Sequence, residues 1–373
     1  MNMKERKSNL ELLRIVSMLF IIIYHILIHG LVFETINNKS VEIILRFIEF
    51  IVIVHVNAYV MISGYFQSQS KFKQSKLWQI INSSLFYKVA ILIIMILFGT
   101  KVSKINILKE CFILNLSEYW FIKVYFFLYC LSPFINKMIE GLNKREYKVL
   151  LIVGALLFSV IPYITGGQAF DNNGYTLYNF VYIYCIGGYL RRYPLEKSYF
   201  FKRFSINLIR IILFLIFISS AIINFLIYNT SLSLINLNSL FYEIGNNVAG
   251  MSLAYSNPLI IIQTIALFSL FSTLEIKSKF INIVASSTLG VYLIHDNNYI
   301  RKVLYKFLNI NKISTSSYRF IIYLLVSAIG IFIVCSIIEL IRQLVFKFIY
   351  KQKFSESIRN KYYTYIKSII PNS

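Results

Sequence analysis

An all-helical protein that threads a membrane many times is the fold class this sequence predicts, and three observations predict it. Hydrophobic residues fill 57% of the 373 positions and charged residues only 14%, whereas a soluble domain carries about 25% charged residues. Apolar runs of roughly the 20 residues that one membrane-crossing helix needs recur along the whole chain, and the mean hydropathy is +0.66. The formal charge of +22 lies in the short segments between those runs, as in proteins whose cytoplasmic loops collect lysine and arginine. No basic stretch accompanies a nucleic-acid-binding fold pattern, which argues against a nucleic-acid partner.

Taken in order, ten segments predict spans: 12–33, 41–65, 77–99, 119–139, 149–166, 176–190, 205–228, 257–274, 281–298 and 318–341. No small-residue cleavage pattern follows the first, so it reads as a retained helix and not as a signal peptide. With the N-terminus inside, 26 of the 38 Lys and Arg fall in inner segments and 9 in outer ones, the remaining three (Arg46, Lys88, Lys123) lying within spans. That bias puts both termini in the cytoplasm. It divides the chain into a ten-helix transmembrane domain, 1–341, and a basic amphipathic cytoplasmic tail, 342–373, whose alternating basic and aromatic residues suit a helix lying on the inner leaflet. Two outer loops are expected, 100–118 and 229–256. The second carries Asn236, Asn238, Asn246 and Asn247, which suit hydrogen bonding to a sugar or plain solvation. Cys111, Cys130, Cys185 and Cys335 are scattered, with no C-x-x-C pair and no histidine at ligand spacing, so neither a metal nor a disulfide framework is expected.

Ionisable groups inside a span are costly and are functional candidates by default. Arg14 lies at the inner end of the first span and His25 follows eleven residues later. Eleven helical steps return to within about 20° of the same face and rise about 16 Å, which sets His25 near mid-bilayer on the stripe of Arg14. His25 reads either as a catalytic base or as a histidine bonded between helices. Arg14 reads as a ligand or as a snorkelling anchor. His29, one turn further out, is the weaker candidate. Glu42, Arg46 and Glu49 share one face of the second span as a charge ladder, with Glu49 also a candidate substrate contact. Deeper in that span come His55, Asn57 and the stretch Ile62-Ser63-Gly64-Tyr65-Phe66, where Gly64 permits close approach of a backbone or ligand. Lys71, Lys73 and Lys76 follow in a short inner loop. Tyr119-Trp120 marks an aromatic pair at the outer start of the fourth span, and Pro133 predicts a kink. His295-Asp296 sits near the outer end of the ninth span, with His295 either a second site residue or an interface residue.

Glu11-Leu12-Leu13-Arg14 through Tyr24-His25 resembles the first helix of the acyltransferase-3 family, in which a basic residue precedes a histidine by eleven positions. Ile62-Ser63-Gly64-Tyr65-Phe66 is similar to the family's Ser-Gly-Tyr/Phe element. Lys73 and Lys76 stand where the family often has two arginines three apart; lysine offers a point charge in place of arginine's bidentate fork. Similarity continues through Tyr119-Trp120-Phe121, Leu131-Ser132-Pro133, Ile186-Gly187-Gly188-Tyr189-Leu190-Arg191-Arg192 and Ser287 to His295, and covers residues 8 to about 340.

The resemblance implies a multi-pass enzyme of the bacterial plasma membrane. It would move an acyl group, commonly acetyl, from cytoplasmic acyl-coenzyme A to a hydroxyl of a cell-surface polysaccharide or its lipid-linked precursor. Acetyl-CoA is then a co-substrate, with no permanently bound cofactor. Arg14, Lys73 and Lys76 would hold its phosphates. His25 would act with Arg14 and Ser63 in catalysis, as general base or as transient acyl carrier, with Ser63 at the oxyanion. Trp120, His295 and Glu49 would contact the acceptor, and lipids surround the whole. The competing class is a transporter or flippase for a lipid-linked sugar, which would share the hydrophobicity and span count but would need no histidine eleven residues after an arginine. Reporter fusions test the topology: those after Ser373 and near Lys148 should read cytoplasmic and those near Asp171 external, and a cytoplasmic reading at Asp171 would break the ten-span scheme.

Overall fold

The computed structural model describes residues 7–103, 107, 119–167, 173–199, 201–235, 239–308 and 318–351, and these are helical with no strand among them. The described helices of eight residues or more are α1 (Ser8–His29), α2 (Lys39–Val52), α3 (His55–Gln67), α4 (Gln74–Leu97), α5 (Trp120–Glu140), α6 (Lys144–Thr165), α7 (Leu177–Arg192), α8 (Ile206–Leu234), α9 (Ser239–Met251), α10 (Pro258–Ser272), α11 (Lys279–Ser286), α12 (Thr288–His295), α13 (Asn298–Leu308) and α14 (Arg319–Lys351). Among the described residues, seven stretches are long and apolar enough to cross a membrane: α1, α2 with α3, α4, α5, α6, α8 and α14.

The other three expected spans are shorter. Helix α7 has 16 residues and α10 has 15, about 24 and 22 Å of rise against a hydrocarbon core of about 30 Å. The segment expected at 281–298 is two helices of 8 residues, α11 and α12, meeting at Ser287. Hydropathy marks an apolar run but not a break inside it. The loop expected at 229–256 is also corrected: α8 continues to Leu234 and Ser239–Met251 is helical, and in α8 the polar side chains of Asn229, Ser231 and Ser233 turn back to carbonyls of their own helix, as Asn229 Nδ2 does to the Phe225 carbonyl at 2.8 Å. Asn236 and Asn238, most of 100–118 and the tail beyond 351 lie outside the described residues. Helix α14 runs unbroken past residue 341 to Lys351.

Each interruption in a helix frees backbone carbonyls that hydrocarbon cannot solvate, so side chains must take them up. At the turn between α2 and α3, Gln263 of α10 donates Nε2 to the carbonyls of Phe50 (3.1 Å) and Ile51 (3.4 Å), and His55 Nδ1 lies 2.7 Å from the Val52 carbonyl. In α5 the ring of Pro133 denies the Tyr129 carbonyl its usual partner. The Ser132 hydroxyl donates to that carbonyl at 2.7 Å instead.

Small residues bring the central helices together. A Cβ at Gly64 of α3 would strike the Tyr184 carbonyl of α7, and one at Gly187 of α7 would strike the Met61 carbonyl of α3. Backbone-to-backbone contact of this kind replaces the hydrophobic driving force that lipid removes. It buries α7 almost entirely; Phe180, Ile183 and Tyr184 are each 0% exposed. At one end of the bundle Ser8 and Asn9 bond to Ser278, Phe271 and Ser272, and Lys7 meets Tyr65 and so Arg191. At the other, Tyr119 donates to the Leu293 carbonyl at 2.8 Å, Asn297 donates to the Tyr119 hydroxyl at 3.0 Å, and His29 meets Arg301. Replacing Gln263 with leucine strands two carbonyls; thermal unfolding of the purified protein should show a loss of about 1–3 kcal/mol, and an unchanged transition would remove Gln263 from this role.

Candidate active site

Helix α1 places Arg14, His25 and His29 along its length, and the break at Ser287 turns α12 so that its C-terminal end meets α1. On its other side Gly290 lets α12 lie close against α14, since a Cβ there would lie 2.5 Å from the Glu339 side chain. Glu339 is itself fixed by the Tyr87 hydroxyl at 2.6 Å, by Arg342 and by Gln343. The outcome is a cluster in which His25 Nδ1 lies 3.2 Å from His295 Nε2 and 3.4 Å from Asp296 Oδ1. Both His295 and Asp296 are buried.

The partners assign the tautomers. His295 Nδ1 lies 2.6 Å from the Val291 carbonyl, which can only accept, so this nitrogen carries the hydrogen. Neutral His295 then presents a lone pair on Nε2, and His25 must donate from Nδ1. Nε2 of His25 is left with its lone pair, and the imidazole is held from behind by a histidine and a carboxylate.

Arg301, at the start of α13, closes the cluster. Its guanidinium lies 3.3 Å from His29 Nε2 and 3.4 Å from Asp296 Oδ1, and donates to the Asp296 carbonyl at 3.0 Å. Ligand atoms of His25, His29 and Asp296 lie within 4.8 Å of one another, a spacing a cation could bridge. Arg301 already supplies a positive charge to His29 and Asp296 there.

Sequence reasoning singled out His25 and His295 and did not join them. It passed over Asp296 as a ligand partner and counted Arg301 only as a loop charge. The available signal was that Arg301 sits on the side poor in basic residues, five positions after an acid. His29, ranked behind His25, belongs to the cluster through Arg301.

The other expected residues lie elsewhere. Arg14 is about 16 Å of helix rise from His25. Its Nη1 donates to Glu11 at 2.9 and 3.1 Å, and its guanidinium sits 5.6 Å from the Phe66 ring centre. Ser63 stays at the Arg14 level: its hydroxyl bonds to the Tyr59 carbonyl (3.0 Å) and the Tyr125 hydroxyl (3.1 Å), while Tyr59 donates to the Arg14 carbonyl at 2.8 Å. The structure therefore does not bring Ser63 beside His25. Glu49 is 1% exposed and accepts from Arg46 at 3.0 Å. Glu42 pairs with Lys39 at 3.3 Å, so the ladder is split between two ion pairs. Arg46 also covers the Phe33 ring at 3.5 Å. Lys73 and Lys76 are exposed at the start of α4, and the Lys73 backbone is pinned on both sides by the Tyr129 hydroxyl at 3.0 and 3.2 Å.

Trp120 opens α5 at the His25 end. Its ring lies 4.3 Å from Tyr175 and stacks on Tyr255 at 5.8 Å; Tyr255 bonds His55 Nε2 at 3.2 Å, and His55 packs 5.2 Å from Tyr24, the neighbour of His25. His55 thus serves both the helix break and this aromatic wall, with both ring nitrogens engaged.

Over residues 7–340 the chain matches a family model described as an acyltransferase domain. No curated protein and no solved structure gives a significant match. The assigned tautomers are open to direct test. In protein carrying ¹⁵N-histidine, with resonances assigned through His25→Gln and His295→Gln, both residues should show the Nδ1–H form, and an Nε2–H form at His25 would reverse the donor order.

Proposed function

Because this chain belongs to the acyltransferase-3 family, we propose that its membrane acyl transfer takes an acyl group, acetyl above all, from cytoplasmic acyl-coenzyme A and places it on a hydroxyl of a cell-envelope glycan or its lipid-linked precursor. The observation that carries the chemistry is the His25 imidazole backed through Nδ1 by His295 and Asp296, with no partner on Nε2 among the described residues. An acceptor hydroxyl gives its proton to His25 Nε2 as its oxygen attacks the thioester carbonyl. The tetrahedral intermediate collapses, the carbon–sulfur bond breaks, and the leaving thiolate takes the proton back from the imidazolium. Asp296 stabilises that imidazolium while Arg301 holds the carboxylate in place. General-base catalysis of this kind is worth about 10²–10⁴-fold in rate.

Orientation supports the reading. With the N-terminus inside, the Lys7 end of the bundle with Lys73, Lys76, Arg191 and Arg192 faces the anionic donor, and the His25 end with Trp120, Tyr175 and Tyr255 faces the acceptor side. The half-buried Trp120 and Tyr175 rings, backed by the buried Tyr255, offer flat apolar surfaces with polar tips, a lining suited to a sugar ring. A flippase would share the hydrophobic frame but has no use for an imidazole nitrogen oriented by a carboxylate.

His25→Gln keeps hydrogen-bonding capacity and removes the base. It should lower transfer by about 10²-fold or more in protein that inserts and purifies normally, whereas loss of an interhelical hydrogen bond alone costs only about 0.6–2 kcal/mol. His29→Gln, which keeps an acceptor for Arg301, should retain substantial transfer. Glycan O-acylation measured by NMR decides the matter, and substantial transfer by His25→Gln would overturn the mechanism.

A further inference from the structure

At the Arg14 end of the bundle, two cations converge on one phenol. Lys7 Nζ lies 2.6 Å from the Tyr65 hydroxyl and Arg191 Nη1 lies 3.0 Å from it, so the two charged groups stand no more than 5.6 Å apart. Both also lie over the same ring, Lys7 at 5.1 Å and Arg191 at 4.8 Å from its centre. Among the described residues neither has a carboxylate partner, in contrast to Arg14, which is matched by Glu11. Like charges held this close repel unless something anionic joins them. We infer that Lys7, Arg191 and Tyr65 form a clamp for a phosphoryl group.

The geometry of the donors supports this assignment. Arg191 Nε donates to Gln69 Oε1 at 3.0 Å, which fixes the plane of the guanidinium and leaves Nη2 with no partner among the described residues. Lys7 Nζ keeps two further N–H groups, and the Tyr65 hydroxyl, which accepts from both cations, retains its own hydrogen to donate. A planar fork and a compact ammonium, both within hydrogen-bond distance of one phenol hydroxyl, match the several acceptor oxygens of a phosphate. Tyr65 is 6% exposed, so its ring is an immobile platform, set by the Gly64–Tyr184 contact one residue earlier. Lys7 immediately precedes α1 and Arg191 lies in the last turn of α7. A phosphate on this clamp therefore ties the first helix to α7.

The inference deepens the donor reading and rests on it for the source of the phosphate: the nucleotide end of acyl-coenzyme A, with anionic lipid headgroups as the other source of the same chemistry. The test uses the full-length protein in phosphatidylcholine nanodiscs, titrated with 3′,5′-ADP as a probe without thioester, and a second set of nanodiscs containing phosphatidylglycerol to measure lipid retention. Lys7→Gln with Arg191→Gln should raise the dissociation constant for 3′,5′-ADP ten-fold or more and flatten its salt dependence, while Lys7→Arg should stay within about three-fold of the parent. Lys7 is exposed ahead of α1, so Lys7→Gln alone, with about three-fold weakening, serves if the double variant does not accumulate. If the parent ignores 3′,5′-ADP but retains phosphatidylglycerol through these residues, the clamp stands and the coenzyme donor reading falls. Equal behaviour of parent and variant toward both probes, or no binding of either probe by the parent, would overturn the clamp.

Discussion

Hydrocarbon offers no partner to a free backbone carbonyl, and this constraint governs where the chain is allowed to break. The turn between α2 and α3 exists because Gln263 and His55 take up the carbonyls of Phe50, Ile51 and Val52. The Ser132 hydroxyl does the same for the carbonyl that Pro133 releases. Each exception is bound to a particular polar side chain, and each of those side chains draws a neighbouring element to a fixed position. Gln263 draws α10 against α2, and His55 draws Tyr255 and with it the aromatic wall around Trp120. The polar residues that look like functional candidates from their depth in the membrane are in good part the means by which the backbone remains solvated.

The break at Ser287 is the one that builds the cluster. A straight helix over 281–298 would carry His295 and Asp296 along one axis. The turn between α11 and α12 instead sets the end of α12 against the middle and outer turns of α1, where Tyr119 and Asn297 hold it. Gly290 lets α12 lie against Glu339, a carboxylate saturated by Tyr87, Arg342 and Gln343. The His25–His295–Asp296 arrangement is therefore supported from behind by a second polar node that has no free valence for a ligand. A site held to within tenths of an ångström needs such support in its neighbouring shell of residues.

The two ends of the bundle divide the labour. One end collects Lys7, Arg14, the lysines near α4, Arg191 and Arg192, where positive charge outnumbers its carboxylate partners. The other collects three histidines, one aspartate and one arginine, with charges balanced within the cluster. About 16 Å of α1 separates Arg14 from His25, a distance that the proposed acyl-coenzyme A donor would have to span. Arg14 then belongs with the anchoring end, and Ser63, bonded to Tyr59 and Tyr125 at that level, belongs with it too.

The sequence by itself determined the all-helical membrane class, since 57% hydrophobic residues in long runs leave no soluble alternative, and it determined the stripe that carries Arg14 and His25, since 3.6-residue periodicity is a local property. It also singled out the Ser63-Gly64 stretch, because small residues stand out among Ile and Leu, while Gly187-Gly188 entered only through the family resemblance. Tertiary structure alone decided which of the ten runs are long helices, which are short, and where each is broken, because hydropathy is blind to whether a neighbouring Gln or Ser is present to solvate a carbonyl. It alone joined His25 to His295 and Asp296, residues 270 and 271 positions away. No periodicity links them; a helix break and a glycine contact do. For the same reason Arg301, a loop charge in the sequence, is a partner of Asp296 in the fold, and Lys7 and Arg191 meet on a tyrosine that neither approaches along the chain.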